Sequence, residues 1–124
     1  MFPASPVLIV DDNEALLRSY EMVLKSNGIN NLKLISDGRE ALKLVDNAEP
    51  ISLVVLDLWM PQLHGENILK AIKMNMPKLK VIVITGCGDA PGYRENEYDN
   101  IAGYLHKPVD DSILVESIRG ALSA

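Results

Sequence analysis

Short, continuously apolar runs alternate along this chain with longer stretches in which apolar residues recur every three or four positions. Val7-Leu8-Ile9-Val10, Leu53-Val54-Val55-Leu56 and Val81-Ile82-Val83-Ile84 are uniformly hydrophobic and rich in β-branched residues. That is the pattern of strands buried on both faces. Leu32-Lys33-Leu34-Ile35 predicts a shorter second strand, residues 52–57 the third, 80–84 the fourth and 102–106 the fifth. Between them, residues 13–27 predict a helix burying Leu16, Tyr20, Val23 and Leu24, with Gly28 just past its end. Asp37-Gly38-Arg39-Glu40 has capping-box spacing and opens a helix that buries Ala41, Leu42 and Val45. Residues 65–74 predict a helix burying Ile68, Leu69 and Ile72 and ended by Pro77, and Asp110 caps a last one burying Leu114, Ile118 and Leu122.

Strands alternating with helices imply a doubly wound α/β sandwich of three layers, because parallel neighbours need crossover connections. One segment departs from the rhythm. Residues 86–100 carry three glycines and Pro91 but no aliphatic stripe, leaving Tyr93 and Tyr98 as anchors. A short, weakly held helix is expected there.

At 124 residues the chain has room for a single domain spanning residues 1–124. Its 48% hydrophobic and 23% charged residues are those of an ordinary globular protein. A formal charge of −5 with no basic cluster argues against direct contact with nucleic acid, so any DNA-binding output would lie in a partner or another region of a parent protein. The N-terminal segment lacks the features of a signal peptide and no apolar stretch is long enough to cross a bilayer. The lone Cys87 cannot close an internal disulfide. A cytoplasmic protein without membrane contact is the expectation.

The chemistry gathers where hydrophobic runs give way to loops. The first strand ends in Asp11-Asp12, the third in Asp57, the fourth in Thr85-Gly86 and the fifth in Lys107-Pro108. In an open parallel sheet these ends share one edge, and ligands bind there where the strand order reverses. If the first and third strands are neighbours, three carboxylates converge and repel one another. A hard divalent cation with oxygen ligands, Mg²⁺ rather than zinc, neutralises them best. Asp57 can then attack an incoming phosphoryl group whose charge the metal, Lys107 and the Thr85 hydroxyl offset.

Asp11-Asp12, Asp57 within Leu56-Asp57-Leu58-Trp59-Met60-Pro61, Gly65, Thr85-Gly86, Tyr104 and Lys107-Pro108 resemble, at these spacings, the receiver domain of two-component response regulators. The likeness runs from about Val7 to Leu122. It implies a flavodoxin-like (βα)5 fold with strand order 2-1-3-4-5, that of the chemotaxis regulator of this family. It further implies that Asp57 is the phosphoacceptor, and that Asp12, Asp57 and the Trp59 backbone carbonyl bind Mg²⁺ while Asp11 acts mainly through ordered water. Lys107 would pair with the acyl phosphate, and Thr85 would swing to donate to a phosphate oxygen. Tyr104 would follow it inward, remodelling the face made by the fourth helix, fifth strand and last helix. A cis peptide is expected before Pro108. The implied partners are a histidine kinase or histidine phosphotransfer protein and an output domain or effector that the sequence does not specify. A homodimer through the same remodelled face is also admitted.

Two positions depart from residues that commonly orient the hydrolytic water in this family. Trp59 and Cys87 stand there instead, so self-dephosphorylation is expected to be slow. Two rival classes remain open at this level. A haloacid-dehalogenase-like phosphatase also uses a strand-end aspartate, Mg²⁺, threonine and lysine, but seeks a second aspartate where Trp59 stands. An interaction module independent of phosphorylation would leave the acid triad and Lys107 unused. His64 and His106 read as a loop residue and a strand residue with no role in phosphoryl transfer, and Cys87 as passive.

Overall fold

The computed structural model describes residues 5–58, 65–86 and 100–123. Its elements follow in the order β1 (Val7–Val10), α1 (Glu14–Ser26), β2 (Leu32–Ile35), α2 (Gly38–Asp46), β3 (Leu53–Asp57), α3 (Gly65–Asn75), β4 (Val81–Thr85), β5 (Ile101–His106) and α4 (Asp111–Ser123). The strands form one parallel sheet in the order β2-β1-β3-β4-β5. Every residue of the three central strands is buried, whereas β2 and β5 at the edges are only partly so. This accounts for the uniformly apolar runs: both faces of the centre are covered.

The period-two geometry of a strand divides those runs between two cores. Leu8, Val10, Val54, Leu56, Val81 and Val83 pack with α2 and α3. Val7, Ile9, Leu53, Val55, Ile82 and Ile84 pack with α1 and α4. The helices meet these layers by stripes shifted slightly from the predicted ones. α1 buries Leu17, Tyr20 and Leu24, with Leu16 and Val23 at the margin. α4 buries Leu114, Val115 and Ile118, leaving Leu122 in its last turn partly exposed. Leu42 of α2 likewise lies at the rim, and Gly38, Ala41 and Val45 face inward.

Caps fix where the helices begin and stop. Asn13 accepts from the Leu16 N–H at 3.1 Å and opens α1. Asp37 caps α2 through the Arg39 N–H at 2.9 Å, and the Arg39 guanidinium folds back onto the same carboxylate at 2.9 Å. That pairing holds the Asp37 carboxyl below its ordinary range, the side-chain hydrogen bond from Arg39 being the main cause. The capping-box spacing of Asp37 and Glu40 is therefore used through Arg39. α1 and α2 both end in the same hydrogen-bonded hook, with Gly28 in one and Ala48 in the other at positive φ.

A register shift between Val81 and Ile82 alters the pairing of β4 with β5, so that Thr85 lies opposite His106. All strands point the same way, and their carboxyl ends share one edge of the sheet.

Candidate acid pocket at the carboxyl edge of the sheet

Three polar side chains are buried among the described residues, and all lie at that edge: Asp11 after β1, Asp57 closing β3 and Thr85 closing β4. Lys107 joins them from the end of β5. Its Nζ stands 3.2 Å from Oδ2 of Asp11 and 3.2 Å from Oδ2 of Asp57. Burial favours a neutral Lys107, but the charges of Asp11 and Asp57 and the hydrogen bond to Asp57 outweigh it. The ammonium is held above its ordinary pKa.

Backbone contacts aim the acids. Oδ1 of Asp11 accepts from the Asn13 N–H at 2.9 Å. Oδ2 of the same carboxylate is buried, makes no well-formed hydrogen bond among the described residues and faces the Lys107 charge. Exposed Asp12 brings a third carboxylate, and oxygens of Asp11, Asp12 and Asp57 all lie within 4.8 Å of one another. A buried oxygen short of partners, inside a cluster of hard anionic donors, fits a cation of the Mg²⁺ class. One ammonium against three carboxylates leaves an excess negative charge that such an ion would offset.

α3 closes against this edge. The Gly65 N–H donates to the Leu58 carbonyl at 3.0 Å, and a Cβ on Gly65 would meet Leu58 Cα at 2.8 Å and the Asp57 carbonyl oxygen at 2.9 Å. Only glycine allows this approach to the backbone carrying Asp57. The Lys107–Pro108 peptide is cis, as the resemblance implied. Tyr104 is partly buried against the α2/α3 core and pairs with Val83, two positions before the Thr85–His106 pair on the same face.

The structure thus brings together Asp11, Asp12, Asp57 and Lys107, with Thr85 and Tyr104 alongside. Trp59, whose carbonyl the resemblance assigns to the metal, lies outside the described residues, as do His64, Cys87 and the weakly held helix expected over much of 86–100. Two neighbours were missed. The hydrophobic pattern places Tyr20 in the core alone, yet its phenol is held above its ordinary pKa, by burial first and by the charge of Asp11 second. The sequence assigns His106 no role in phosphoryl transfer, yet its Nδ1 lies 3.0 Å from Oγ1 of Thr85. The signal was available only once the β4–β5 register was known. A cleft of about 720 Å³, lined by Pro77, Lys80, Asn100, Gly103, Glu116 and Gly120 among others, lies at the opposite, amino ends of β4 and β5.

Comparisons with known proteins identify the family and agree with this fold. A family model for the response regulator receiver domain matches residues 7–119. The transcriptional regulatory protein FixJ of Azorhizobium caulinodans is 30% identical over 119 residues, which cover 94% of this chain and 54% of that protein. A putative NtrX-like response regulator of Rickettsia conorii is 35% identical over 115 residues, covering 88% of this chain and 23% of its own. The chain therefore spans about half the length of one relative and about a quarter of the other. Among solved structures, a response regulator receiver domain protein of Clostridium thermocellum superposes with a TM-score of 0.83 at 31% identity, covering 96% of this chain and 94% of that one. The structure titled FixJ-N superposes with a TM-score of 0.81 at 28% identity, covering 98% and 95%. Among the described residues, no helix is long and apolar enough to cross a membrane.

Proposed function

We propose, from the premise that this chain belongs to the response regulator receiver family of two-component signalling, that Asp57 is the residue which accepts the phosphoryl group. The donor is the phosphohistidine of a histidine kinase or a phosphotransfer protein. A carboxylate oxygen of Asp57 attacks phosphorus, the new O–P bond forms as the P–N bond to the donor imidazole breaks, and the imidazole leaves with the electron pair of that bond. Asp11, Asp12, Asp57 and the Trp59 carbonyl would hold Mg²⁺, which when bound supplies positive charge to the phosphoryl oxygens. Lys107, already held between Asp11 and Asp57, supplies a second positive charge from the protein itself. Thr85 donates its hydroxyl proton to a phosphoryl oxygen once the group is in place.

Departure of Thr85 from its resting position lets Tyr104 turn inward, and the face carrying β5 and α4 changes shape. That face would control a partner, an output domain or a second copy of the chain. FixJ is named a transcriptional regulatory protein, and an output of that kind, elsewhere in a longer protein or in a partner, suits a receiver that itself makes no contact with DNA. The observation that carries the reading is the single ammonium of Lys107 shared by two buried carboxylates beside a third. Structural acid clusters are usually solvated, whereas two of these three carboxylates are buried and already paired with a cation.

The test is incubation with Mg²⁺ and acetyl phosphate, followed by intact mass. One added phosphoryl group that requires Mg²⁺ and is lost in Asp57→Asn is the expected result. An unchanged mass, or equal labelling of Asp57→Asn, overturns it. Turnover of a free phosphate ester without labelling would point instead to a phosphatase.

A further inference from the structure

We infer that His106 is a positioning residue for the switch, a latch whose Nδ1 holds the Thr85 hydroxyl proton in the resting state and so withholds it from the phosphoryl site. The inference rests on the reading that Asp57 takes up a phosphoryl group and that Thr85 then donates to it. The register shift between Val81 and Ile82 puts Thr85 and His106 directly across from each other at the ends of β4 and β5. The Lys107 N–H donates to the Thr85 carbonyl at 3.0 Å and pins the two strand ends together. Oγ1 of Thr85 and Nδ1 of His106 are 3.0 Å apart.

The direction of this bond follows from burial. The Thr85 side chain is 1% exposed, so water does not take its proton, and no other acceptor for it exists among the described residues. His106 is exposed, so its other ring nitrogen can be satisfied by solvent. The arrangement that leaves no buried donor unpaired has Nε2 protonated and outward, with Thr85 donating to Nδ1.

A threonine hydroxyl has one proton. Phosphoryl oxygens of an acyl phosphate only accept, so Thr85 must choose between them and His106. Each phosphorylation then exchanges one hydrogen bond for another, and His106 sets the starting side of that exchange. An imidazole lost at this position removes the competing acceptor and shifts the equilibrium toward the activated conformation. The net worth of one exchanged hydrogen bond corresponds to roughly 2- to 10-fold in that equilibrium.

The experiment titrates the full chain with beryllofluoride in the presence of Mg²⁺, read by the fluorescence of Trp59 or by calorimetry, alongside thermal melts. His106→Leu is expected to bind roughly 2- to 10-fold more tightly than wild type. His106→Asn, whose amide oxygen stands near the position of Nδ1, is expected to stay close to wild type. In a Thr85→Ala background, His106→Leu should no longer matter. In the resting wild type, side-chain ¹⁵N shifts should show the Nε2-protonated tautomer, and that signature should change on adding beryllofluoride. The NMR readout uses unmodified protein and stands even if a variant folds poorly. Equal affinity of wild type and His106→Leu, or an Nδ1-protonated resting tautomer, overturns the latch. Failure of wild type to bind beryllofluoride at all overturns the phosphoacceptor reading on which the latch depends.

Discussion

The ammonium of Lys107 lies 3.2 Å from Oδ2 of Asp57, joining residues from two strands that β4 separates in the sheet. Because the same Nζ also stands 3.2 Å from Asp11, Lys107 occupies the carboxylates that a metal ion would use. Lysine and a divalent cation are therefore competitors. Even at a dielectric constant of about 80, charges of +1 and +2 at roughly 5 Å repel by about 1.7 kcal/mol, a little over tenfold in binding. Lys107→Met should bind Mg²⁺ about tenfold more tightly while taking up the phosphoryl group more slowly. Fluorescence titration with Mg²⁺ measures the first effect, and an unchanged or weakened Kd would refute the competition.

The same ion pair has a pH signature. Folding raises the pKa of Lys107 above its ordinary 10.5, since Asp11 and Asp57 overcome the opposing effect of burial. The folded state thus holds this proton more tightly than the unfolded chain. Its contribution to stability is complete below pH 10.5 and is lost as pH rises through the higher folded value. Tyr20, whose phenol is also raised, loses stability in the same direction, so wild type alone does not isolate the lysine. In metal-free urea denaturation, the stability difference between wild type and Lys107→Met should be constant from neutral pH to about pH 10 and shrink above it. A difference that grows with pH would contradict the ion-pair assignment.

Removing one of the crowded acids should stabilise the metal-free protein. Asp57→Asn keeps the shape and an oxygen for Lys107 but deletes a charge facing Asp11 and Asp12. Functional sites commonly carry such unfavourable crowding, and relieving it here should add about 1 kcal/mol. That gain corresponds to a melting temperature higher by roughly 3–5 °C for a chain of this size. Mg²⁺ should narrow the gap, because it neutralises the wild-type pocket. Thermal melts with and without Mg²⁺ test both parts, and a metal-free variant that melts lower than wild type would show that the carboxylates are not in conflict.

How much of this was legible in the residues depended on the range of the interactions. The central strands were visible because burial on both faces forces Val7–Val10, Leu53–Asp57 and Val81–Thr85 to be apolar almost throughout. Asp11, Asp57 and Lys107 were visible because they interrupt that pattern at strand ends, and parallel topology then carries them to one edge. The face of α1 was set only to within a neighbouring position, Leu17 for Leu16, because α1 packs against α4 as well as the sheet. α4 keeps its predicted stripe of Leu114 and Ile118 but buries it through Val115 rather than Leu122. The Thr85–His106 contact was not legible. An unshifted register starting from Val81 opposite Ile101 would place Thr85 opposite Leu105, and the irregularity that moves it by one residue is marked in the sequence only by Gly103, which hints at a bulge without fixing the register.

Gly65 illustrates two effects of opposite sign. It is the first residue of α3, where alanine has the better helix propensity by about 0.5–1 kcal/mol. Against that, its Cβ would stand 2.8 Å from Leu58 Cα and 2.9 Å from the Asp57 carbonyl oxygen, both backbone atoms. Backbone in a buried strand end yields poorly, so the overpacking cost of about 1–3 kcal/mol should win. Gly65→Ala should be destabilised in urea and should also bind Mg²⁺ more weakly, because the displaced segment carries Asp57. A stabilised variant would mean that α3 moves away freely and does not buttress the site.

Two helix ends allow a matched test of backbone strain. After α1, the Gly28 N–H donates to the Lys25 carbonyl and the Ile29 N–H to that of Leu24; after α2, Ala48 donates to Val45 and Glu49 to Leu44. These are the same two-bond hook, with Gly28 at φ 81° and Ala48 at φ 50°. Left-handed backbone costs a residue with a Cβ about 1–2 kcal/mol, partly offset because glycine loses about 0.5–1 kcal/mol more in chain entropy on folding. Ala48→Gly should therefore stabilise the protein by about 0.5–1 kcal/mol, and Gly28→Ala should destabilise it by a similar amount. No atom lies within 4 Å of a Cβ built on Gly28, so that variant reports backbone strain without a clash. Urea denaturation of both variants should give shifts of opposite sign with unchanged m-values, and shifts of the same sign would show that something other than the left-handed conformation governs these helix ends.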